Sequence, residues 1–582
     1  MCEPESEVSH RDTSGASSKL PNVAWLIIVL LTGVSTSAMG FQFETSPEWQ
    51  ARWDNTFRYN AMSRVEGQDP EIVANPLFDD ATLSFDKGLV SNRFDWISEL
   101  DIVWKDDYGF RISGAAWYDS IYNKSNDHPP RSLTWGSPSA PVGEFTNYAR
   151  DLHGRDAELL DAFVFGNFSL GNTELGVRAG RHTLYWGQTL LATGAIHGIA
   201  GAMAPIDAIK AFTVPGAAVQ ELFMPTTKAS FSWQVTPELS FNGYYSFEFR
   251  EHRLPAVGSY ASPAEHFTNR AEFASLVPVP AIGLVYGQQG VGAEEPNNGE
   301  YGLAVEYYAS GIDMEFGAYY LNYYDKLPHG LIAEVDLLKL PDFLGGLGGP
   351  LSGDLLPPNN VSIGRFKWSY KDDIDLLGLS FSKELWGISF GGDLVYRKNV
   401  ALNPEAGAVF LGRATIPGVI DSGFDDFNES NYGGPVGDTL HLVLNAFGLL
   451  NTNALWDGGN YIVELSTSTL RKVTANEAFL NAYVKEDKVA MHIASNFTPE
   501  WYQVFPSVDM SLPISISYGL TNFAPFILAG NEEVGSASIG VNFLYKQKYR
   551  FDLRYSNSFG PVEYGATTRD RDWVSFTFQV TL

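Results

Sequence analysis

The chain has little of three things that proteins of its length commonly contain: cysteine, positive charge and long apolar runs. Cys2 is the only cysteine among 582 residues, so no disulfide can form within the chain. Lys and Arg number 39 against 68 Asp and Glu, a formal net charge of −29. This balance excludes a general nucleic-acid binder, because such proteins need a basic face to neutralise phosphates. With 45% apolar residues the chain is nevertheless too hydrophobic to remain disordered.

One apolar run stands near the N-terminus, and no other stretch approaches the roughly 18 apolar residues of a transmembrane helix. The run, Val23–Val34, is followed by Thr36 and Ala38 at the spacing that signal peptidase prefers. It is too short to cross a bilayer of about 30 Å as a helix. We therefore expect a signal peptide over residues 1–38, with a membrane anchor as the alternative. An exported chain whose mature part, residues 39–582, lacks cysteine is typical of the bacterial envelope.

Alternation of apolar and polar residues is the main pattern of the mature chain. Between Trp49 and Tyr59, apolar side chains stand at positions 49, 51, 53, 57 and 59. The same period of two recurs in residues 94–104, 239–249 and 388–396, and it places one type of side chain on each face of a strand. Roughly 16–18 such segments of about ten residues each fit the length of a tilted strand that crosses a bilayer. The fold class is therefore all-β: a single transmembrane antiparallel β-barrel of about 16–18 strands over residues 39–582.

The polar face of these segments carries charges that a dry sheet core would not accept. A closed barrel explains the pattern, because the apolar face meets lipid and the charged face meets the lumen. Two interpretations stay open for the charges: a mutually neutralising network that packs the interior, or a selective constriction. The predicted lumen charges are Arg52, Asp54, Arg58, Arg111, Arg250, Asp393, Arg397 and Arg554.

The C-terminal residues indicate which membrane holds the barrel. Val574, Phe576, Phe578, Val580 and Leu582 alternate with polar residues up to the end of the chain. A final amphipathic strand of this kind resembles the insertion signal of bacterial outer-membrane barrels, although those usually end in Phe. We expect a location in the outer membrane, in contact with its lipid and with lipopolysaccharide.

The links between the alternating segments fall into two classes, as in barrels with short periplasmic turns and long extracellular loops. Short links include Lys105–Gly109 and Leu170–Thr173, whereas Phe497–Ser511 is predicted to be one of the long loops. Another long loop, residues 325–360, is rich in leucine. It predicts an apolar extracellular patch that captures a ligand, or else a loop that packs on itself.

Residues 183–225 depart from the alternation. This segment is apolar, rich in small residues and without a period of two, so it needs a buried place, and the barrel lumen offers one. We interpret it as an internal plug or constriction; an ordered extracellular cap is the alternative. The residues expected to line a substrate pathway there are Trp186, Ile196, Ile199, Ile206, Asp207, Phe212, Glu221 and Phe223.

Short motifs in and after this segment form a recognisable string: Gly180-Arg181, Trp186-Gly187, Pro205-Ile206-Asp207, Pro215-Gly216, Glu221, Met224-Pro225, Glu248–Pro255 (EFREHRLP) and Val257–Tyr260. The string resembles large Gram-negative outer-membrane proteins known as domain-of-unknown-function family thirteen-oh-two. The resemblance implies a barrel linked to the handling of hydrophobic compounds, often beside a resistance-nodulation-division permease. The chain departs from the family at Gln188 and Ala204, where the family tends to carry Glu and Asn.

The predicted function is an outer-membrane channel that passes hydrophobic or amphipathic small molecules past the plug. The alternatives are a docking component of an envelope transport complex, with a periplasmic or inner-membrane permease as partner, and a general diffusion porin. No nucleophile elbow, zinc-binding helix motif, phosphate loop or dinucleotide fingerprint stands in the sequence. We therefore expect neither enzymatic activity nor a cofactor, a metal site or a nucleic-acid partner.

Overall fold

The computed structural model describes residues 41–46, 48–75, 78–129, 143–213, 222–264, 273–279, 283–289, 299–328, 330–336, 364–404, 409–415, 434–486, 488–526 and 530–582. The predicted signal peptide lies outside the described residues. From Gly40 to Leu582 the chain forms one compact unit. Among the described residues, no helix is both long enough and apolar enough to cross a membrane.

Strands dominate this unit, as the alternation predicts. The strands are β1 Phe41–Ser46, β2 Trp49–Arg64, β3 Gly88–Trp104, β4 Tyr108–Asp119, β5 Arg155–Leu170, β6 Thr173–His182, β7 Thr226–Thr236, β8 Leu239–Ser246, β9 Phe273–Val279, β10 Gly283–Gln289, β11 Glu300–Ala309, β12 Met314–Tyr323, β13 Gly330–Asp336, β14 Gly364–Ser369, β15 Ile374–Leu385, β16 Ile388–Ala401, β17 Val409–Thr415, β18 Val436–Leu449, β19 Gly458–Ala475, β20 Val489–Phe505, β21 Val508–Ser511, β22 Ile514–Thr521, β23 Gly535–Tyr545, β24 Tyr549–Phe559 and β25 Trp573–Thr581. Short helices occupy Pro70–Val73, Asp79–Leu83, Asn147–Ala149, Ala192–His197, Ala200–Met203 and Ala208–Thr213; Arg150–Gly154 forms a π-turn, and Glu477–Phe479 and Val562–Tyr564 form 3-10 turns.

Twenty of the strands join into one antiparallel sheet that closes on itself. Closure comes from β25, which pairs with β2 from Thr56↔Thr581 to Arg64↔Trp573. At the start of β2, before Thr56, strand β1 pairs with β2 in place of β25. Strands β21 and β22 together occupy one strand position between β20 and β23. The closed wall therefore has 18 strand positions, and the prediction of a barrel of about 16–18 strands is confirmed.

The two faces of the wall differ as the alternation requires. Large apolar side chains point outward into exposed positions, and examples at 40–60% exposure are Trp53, Trp96, Val164, Leu377, Leu379 and Leu553. Their neighbours in sequence face inward, where charged residues such as Arg58 and Asp393 are buried. A closed wall leaves no unpaired strand edge, and an apolar outer face suits lipid. The chain is thus a transmembrane β-barrel of the outer membrane, as predicted.

One rim of the barrel is made of tight turns, in which non-glycine residues adopt the left-handed region. Between β15 and β16, Trp386 has φ 56° and Gly387 has φ 77°, as a two-residue hairpin turn requires. The expected long loop at Phe497–Ser511 is wrong. Strand β20 instead runs on to Phe505 and turns directly into β21. Pro499 lies within β20, and its carbonyl oxygen still accepts a hydrogen bond from Leu512 N.

A second sheet of five strands has the order β17-β13-β14-β10-β9. It is mixed, because β10 pairs with β14 and β13 pairs with β17 in parallel. Strand β13 falls within the leucine-rich stretch 325–360, so part of that predicted loop is regular structure. Residues 337–363 lie outside the described residues, and ligand capture by this stretch stays a prediction.

Candidate functional site

Two chain segments between strands contact the polar, inward-facing side chains of the barrel wall. The first joins β6 to β7 and is described at residues 183–213 and 222–225; we call it the β6–β7 segment. The second follows β8 and is described at residues 247–264; we call it the β8–β11 segment. Both contain motifs that carry the family resemblance.

The β6–β7 segment is held to β16, β18 and β19 by polar side chains that bind its backbone. Asp393 Oδ1 accepts a hydrogen bond from Gln188 N at 2.9 Å. Glu464 accepts two, from Leu190 N at 2.7 Å and from Leu191 N at 3.1 Å. In the part of the chain that the structure describes, neither carboxylate forms an ion pair, so the hydrogen bonds from backbone amides take the place of a counter-ion.

Small residues let the segment approach the wall this closely. A Cβ added at Gly194 would clash with the Glu464 carboxylate. One added at Gly198 would lie 2.8 Å from Asp393 Oδ2. The small residues that made this segment unlike a strand therefore serve close packing against two buried acids.

Arginine and histidine side chains hold the next turn of the segment. Arg397 donates to the carbonyl oxygens of Ile196 and Gly198, at 2.7 and 2.8 Å. His197 Nδ1 lies 3.4 Å from His441 Nδ1, and both imidazole rings pack against Phe526. Arg397 was predicted as a lumen charge, and here it binds the helix that ends at His197.

The predicted pathway residues are distributed over three separate clusters. Trp186 is buried against Tyr244 and Tyr319, with ring centroids 5.3 and 6.0 Å away, in the same cluster as Ile199. The structure places Ile206 beside Phe223 and Ile196 beside Phe526. The Phe212 side chain and Glu221 lie outside the described residues. The structure thus brings these residues together only in part, and their role in a pathway stays a prediction.

Asp207 joins the two segments. Arg253 N donates to Ile206 O at 2.9 Å and Ala208 N donates to Arg253 O at 3.0 Å, which makes a short parallel bridge. The side chains of Arg253 and Asp207 form an ion pair at 2.7 Å, and Asp207 is only 1% exposed. His252 Nδ1 accepts a further hydrogen bond from Ile206 N.

The joined segments meet β5 at Glu158. This carboxylate binds Arg253 at 2.5 Å and Arg250 at 3.2 Å, and it lies 3.7 Å from Lys210 Nζ. Burial alone would lower the pKa of Arg253, but hydrogen bonds and charge from Glu158 and Asp207 outweigh burial and raise it. The Arg253 guanidinium therefore stays charged, and both Arg250 and Arg253 sit beside the Glu158 carboxylate.

Further contacts bind the β8–β11 segment to the wall around β4 and β25. Tyr260 N donates to Tyr122 Oη, and Tyr260 Oη donates to Asp572 O, at 3.1 and 3.2 Å. Ala256 N donates to His153 Nε2 at 3.1 Å. Burial lowers the pKa of His153 to about 3, so the imidazole is neutral near pH 7 and its Nε2 is free to accept that hydrogen bond.

The remaining predicted lumen charges lie on the inward face in local groups. Arg111 pairs with Glu99, Asp101 and Asp161. The other contacts are Arg52 to Asp54 at 2.6 Å, Arg554 to Asp552 at 3.4 Å, and Arg58 Nε to Gln579 Oε1 at 3.0 Å. Each base has an acidic or amide partner, as in the neutralising network that was one of the two interpretations.

Sequence reasoning did not single out Glu158 or Glu464. Glu464 did carry a signal, because it is the lone acid on a strand face that continues with Ser466 and Ser468. Glu158 carried none, since it stands beside a bulge between β4 and β5 where the alternation shifts.

Solved structures with a similar arrangement include three outer-membrane proteins. They are "OccAB4" of Acinetobacter baumannii (9% identity, TM-score 0.38, covering 92% of this chain and 98% of that chain), "OccK2 (OpdF)" of Pseudomonas aeruginosa in complex with glucuronate (11%, 0.37, 91% and 98%) and a "BenF-like porin" of Pseudomonas fluorescens Pf-5 (9%, 0.37, 91% and 98%). Similarity at this level assigns no function to the present chain. No curated protein matches it.

One family model matches residues 22–582, which is nearly the whole chain. This match confirms the resemblance that the motifs around Trp186, Asp207 and Arg253 carry. The chain therefore belongs to the family described as "Protein of unknown function (DUF1302)".

Proposed function

We propose that the protein is an outer-membrane channel that passes hydrophobic or amphipathic small molecules and is closed by the β6–β7 segment acting as an internal plug. Its surroundings are outer-membrane lipid and lipopolysaccharide. The channel has no nucleotide site motif to supply energy, so a concentration gradient or a permease partner drives the flux.

The observation that carries this proposal is the ion pair between Asp207 and Arg253. On one side of it, the β6–β7 segment is bound to β16, β18 and β19; on the other, Arg253 is bound to Glu158 on β5. In the ring of 18 strand positions, β5 and β18 are eight positions apart, close to half the circumference. A chain of contacts that joins nearly opposite walls has to cross the lumen, and this supports a plug.

The nature of the segment supports an apolar cargo. The residues around Trp186 and Ile199 form a buried apolar cluster, whereas an aqueous porin leaves its channel lined by water and charge. A substrate that passes between this cluster and the wall exchanges apolar contacts for apolar contacts, which costs little free energy.

Deleting Gln188–Pro215 tests the plug. We expect the conductance in planar bilayers to rise severalfold above that of the intact protein, because a barrel of 18 strands leaves a wide lumen once nothing fills it. The heat-dependent shift in electrophoretic mobility that is typical of folded barrels shows whether the wall is intact. A folded deletion variant with unchanged conductance contradicts the plug.

Flux through the intact protein in proteoliposomes tests the cargo. We expect 1-octanesulfonate, an amphipathic molecule whose permanent charge slows its passage through bare lipid, to cross, and sucrose to be excluded. Sucrose flux would instead identify a general diffusion porin. Absence of both fluxes, together with co-purification of a periplasmic protein, would favour the docking component.

A further inference from the structure

Two buried lysines lie near Glu300, and among the described residues only Lys326 has a hydrogen-bonding partner for its ammonium group. Lys326 donates to Glu300 Oε1 at 2.5 Å and to Ala202 O at 2.8 Å. Lys228, on β7, is 1% exposed. The Lys228 side chain forms no hydrogen bond and no ion pair with the described residues. Its Nζ lies 5.5 Å from the centre of the Tyr244 ring.

The surroundings of Lys228 contain two more polar atoms without partners. Tyr244 is 5% exposed and Glu300 is 1% exposed, yet neither Tyr244 Oη nor Glu300 Oε2 has a hydrogen-bond partner in the described part of the chain. Lys228 pairs with Ser246 in register, and Ser246 pairs with Glu300, so Lys228 and Glu300 face inward two strands apart, roughly 10 Å between their backbones.

Small residues flank Lys228 in the neighbouring strands. Gly180 on β6 and Ser246 on β8 are the register neighbours of Lys228 on either side. Neither carries a side chain that reaches the lysine head across the lumen face. The inner wall thus holds the ammonium group of Lys228 beside the phenol ring of Tyr244.

The charges decide which ligand completes this arrangement. The two carboxylates whose charge acts on Lys228, Glu300 and Glu248, already pair with Lys326 and Arg181 respectively, so these five groups carry one net positive charge when all are ionised. A buried cation without a counter-ion is costly, and the cost is removed when an anion binds it. A carboxylate has two acceptor oxygens, one for Lys228 Nζ and one for Tyr244 Oη.

We propose that Lys228 and Tyr244 form a binding site for the carboxylate head of an amphipathic molecule inside the barrel. The apolar tail lies toward Trp186 and Tyr319, whose rings pack on and near Tyr244. The proposal rests on the proposed function and narrows its substrate class from amphipathic molecules in general to amphipathic monocarboxylates.

Binding of octanoate and of 1-octanol to the full chain in lipid nanodiscs, measured by isothermal titration calorimetry against empty nanodiscs, tests the site. We expect the wild-type protein to bind both, and Lys228→Met to bind octanoate at least about tenfold more weakly while it binds octanol as before. Lys228→Met is expected to fold, because it removes a buried charge and breaks no ion pair.

Two further variants make the result specific. Arg178→Met removes an inward-facing cation on β6 that packs on Phe163, and it should leave octanoate binding unchanged. Tyr244→Phe removes only the hydroxyl and should weaken octanoate binding by a smaller factor; it also tests the site if Lys228→Met does not fold.

The outcomes separate this site from the function on which it rests. Octanoate binding that is equal in the wild type and in Lys228→Met, or that falls equally in Arg178→Met, overturns the site, as does a wild type that binds octanol alone. A wild type that binds neither ligand contradicts the proposed function itself.

Discussion

On the wall formed by β16, β18 and β19, the β6–β7 segment is bound by two carboxylates that accept hydrogen bonds from backbone amides, and no ion pair takes part there among the described residues. On the wall around β5, the joined β6–β7 and β8–β11 segments are bound by guanidinium–carboxylate pairs at Glu158 and Asp207. The difference between these two walls shows which contact can open.

Separating a buried guanidinium from its carboxylate leaves two charges unpaired, which costs about 3–5 kcal/mol. Separating an amide from a carboxylate leaves one charge that water can solvate as it enters, and such hydrogen bonds contribute about 1.5–3 kcal/mol. We therefore infer that passage of a molecule releases the β6–β7 segment from Asp393 and Glu464, while the Glu158 side stays attached.

The largest expected effect comes from breaking the arginine side. Glu158→Gln leaves Arg250, Arg253 and Lys210 together without their shared carboxylate. We expect the free energy of unfolding to fall by about 3–5 kcal/mol, measured as a lower denaturant midpoint in detergent. Glu174→Gln, a change at an exposed position near the rim, is the matched control; an equal loss in both variants would show that Glu158 has no special role.

A smaller effect is expected on the carboxylate side. In Glu464→Gln one oxygen is replaced by an NH₂ group, so either Leu190 N or Leu191 N loses its acceptor. We expect the barrel to keep its stability and the segment to lose about 1–3 kcal/mol of attachment. Single-channel recording should then show more frequent openings than in the wild type. A destabilised barrel without additional openings would mean that this wall is structural.

The smallest expected effect is a pH dependence of the attachment of the β8–β11 segment, on the arginine side of the comparison. His153 accepts a hydrogen bond from Ala256 N, and burial lowers its pKa from 6.5 to about 3. The stabilisation that neutral His153 provides is complete above about pH 6.5 and is lost as the pH falls toward 3, with about 1 kcal/mol gone by pH 6.

Limited proteolysis of the β8–β11 segment at pH 7 and pH 5 measures this loss, and cleavage should be faster at pH 5. His153→Gln keeps a hydrogen-bond acceptor without the titration, so its cleavage rate should depend less on pH. Equal pH dependence in both proteins would exclude His153 as the cause.

Much of the barrel could be predicted because a period of two is a local property that each strand shows by itself. The charged inner face, for example at Arg58 and Asp393, followed from the same alternation. The loop predicted at Phe497–Ser511 is wrong: Pro499 stands within β20, where a proline forfeits only the bond that its own N–H would make.

The candidate site could be predicted only in part. The composition of residues 183–225 indicated burial, but the partners of that segment come from strands more than 150 residues away, as with Gln188 and Asp393. No local pattern encodes such a pairing. The same holds for Lys228: that its ammonium group has no hydrogen-bond partner among the described residues is a property of the folded wall and cannot be read from the sequence around it.

The release of the β6–β7 segment from β16 is tested most directly by a disulfide that prevents it. A Cβ at Gly391 would lie 3.1 Å from the Cβ of Gln188, slightly closer than the spacing of about 3.5–4.5 Å in disulfides. Cys2 is the only native cysteine to compete with a Gln188→Cys/Gly391→Cys pair. In proteoliposomes, flux of 1-octanesulfonate through the oxidised variant should fall to the level of protein-free vesicles and return on reduction, while each single-cysteine variant stays at the wild-type level. Equal flux in the oxidised and reduced forms of the pair would contradict the account.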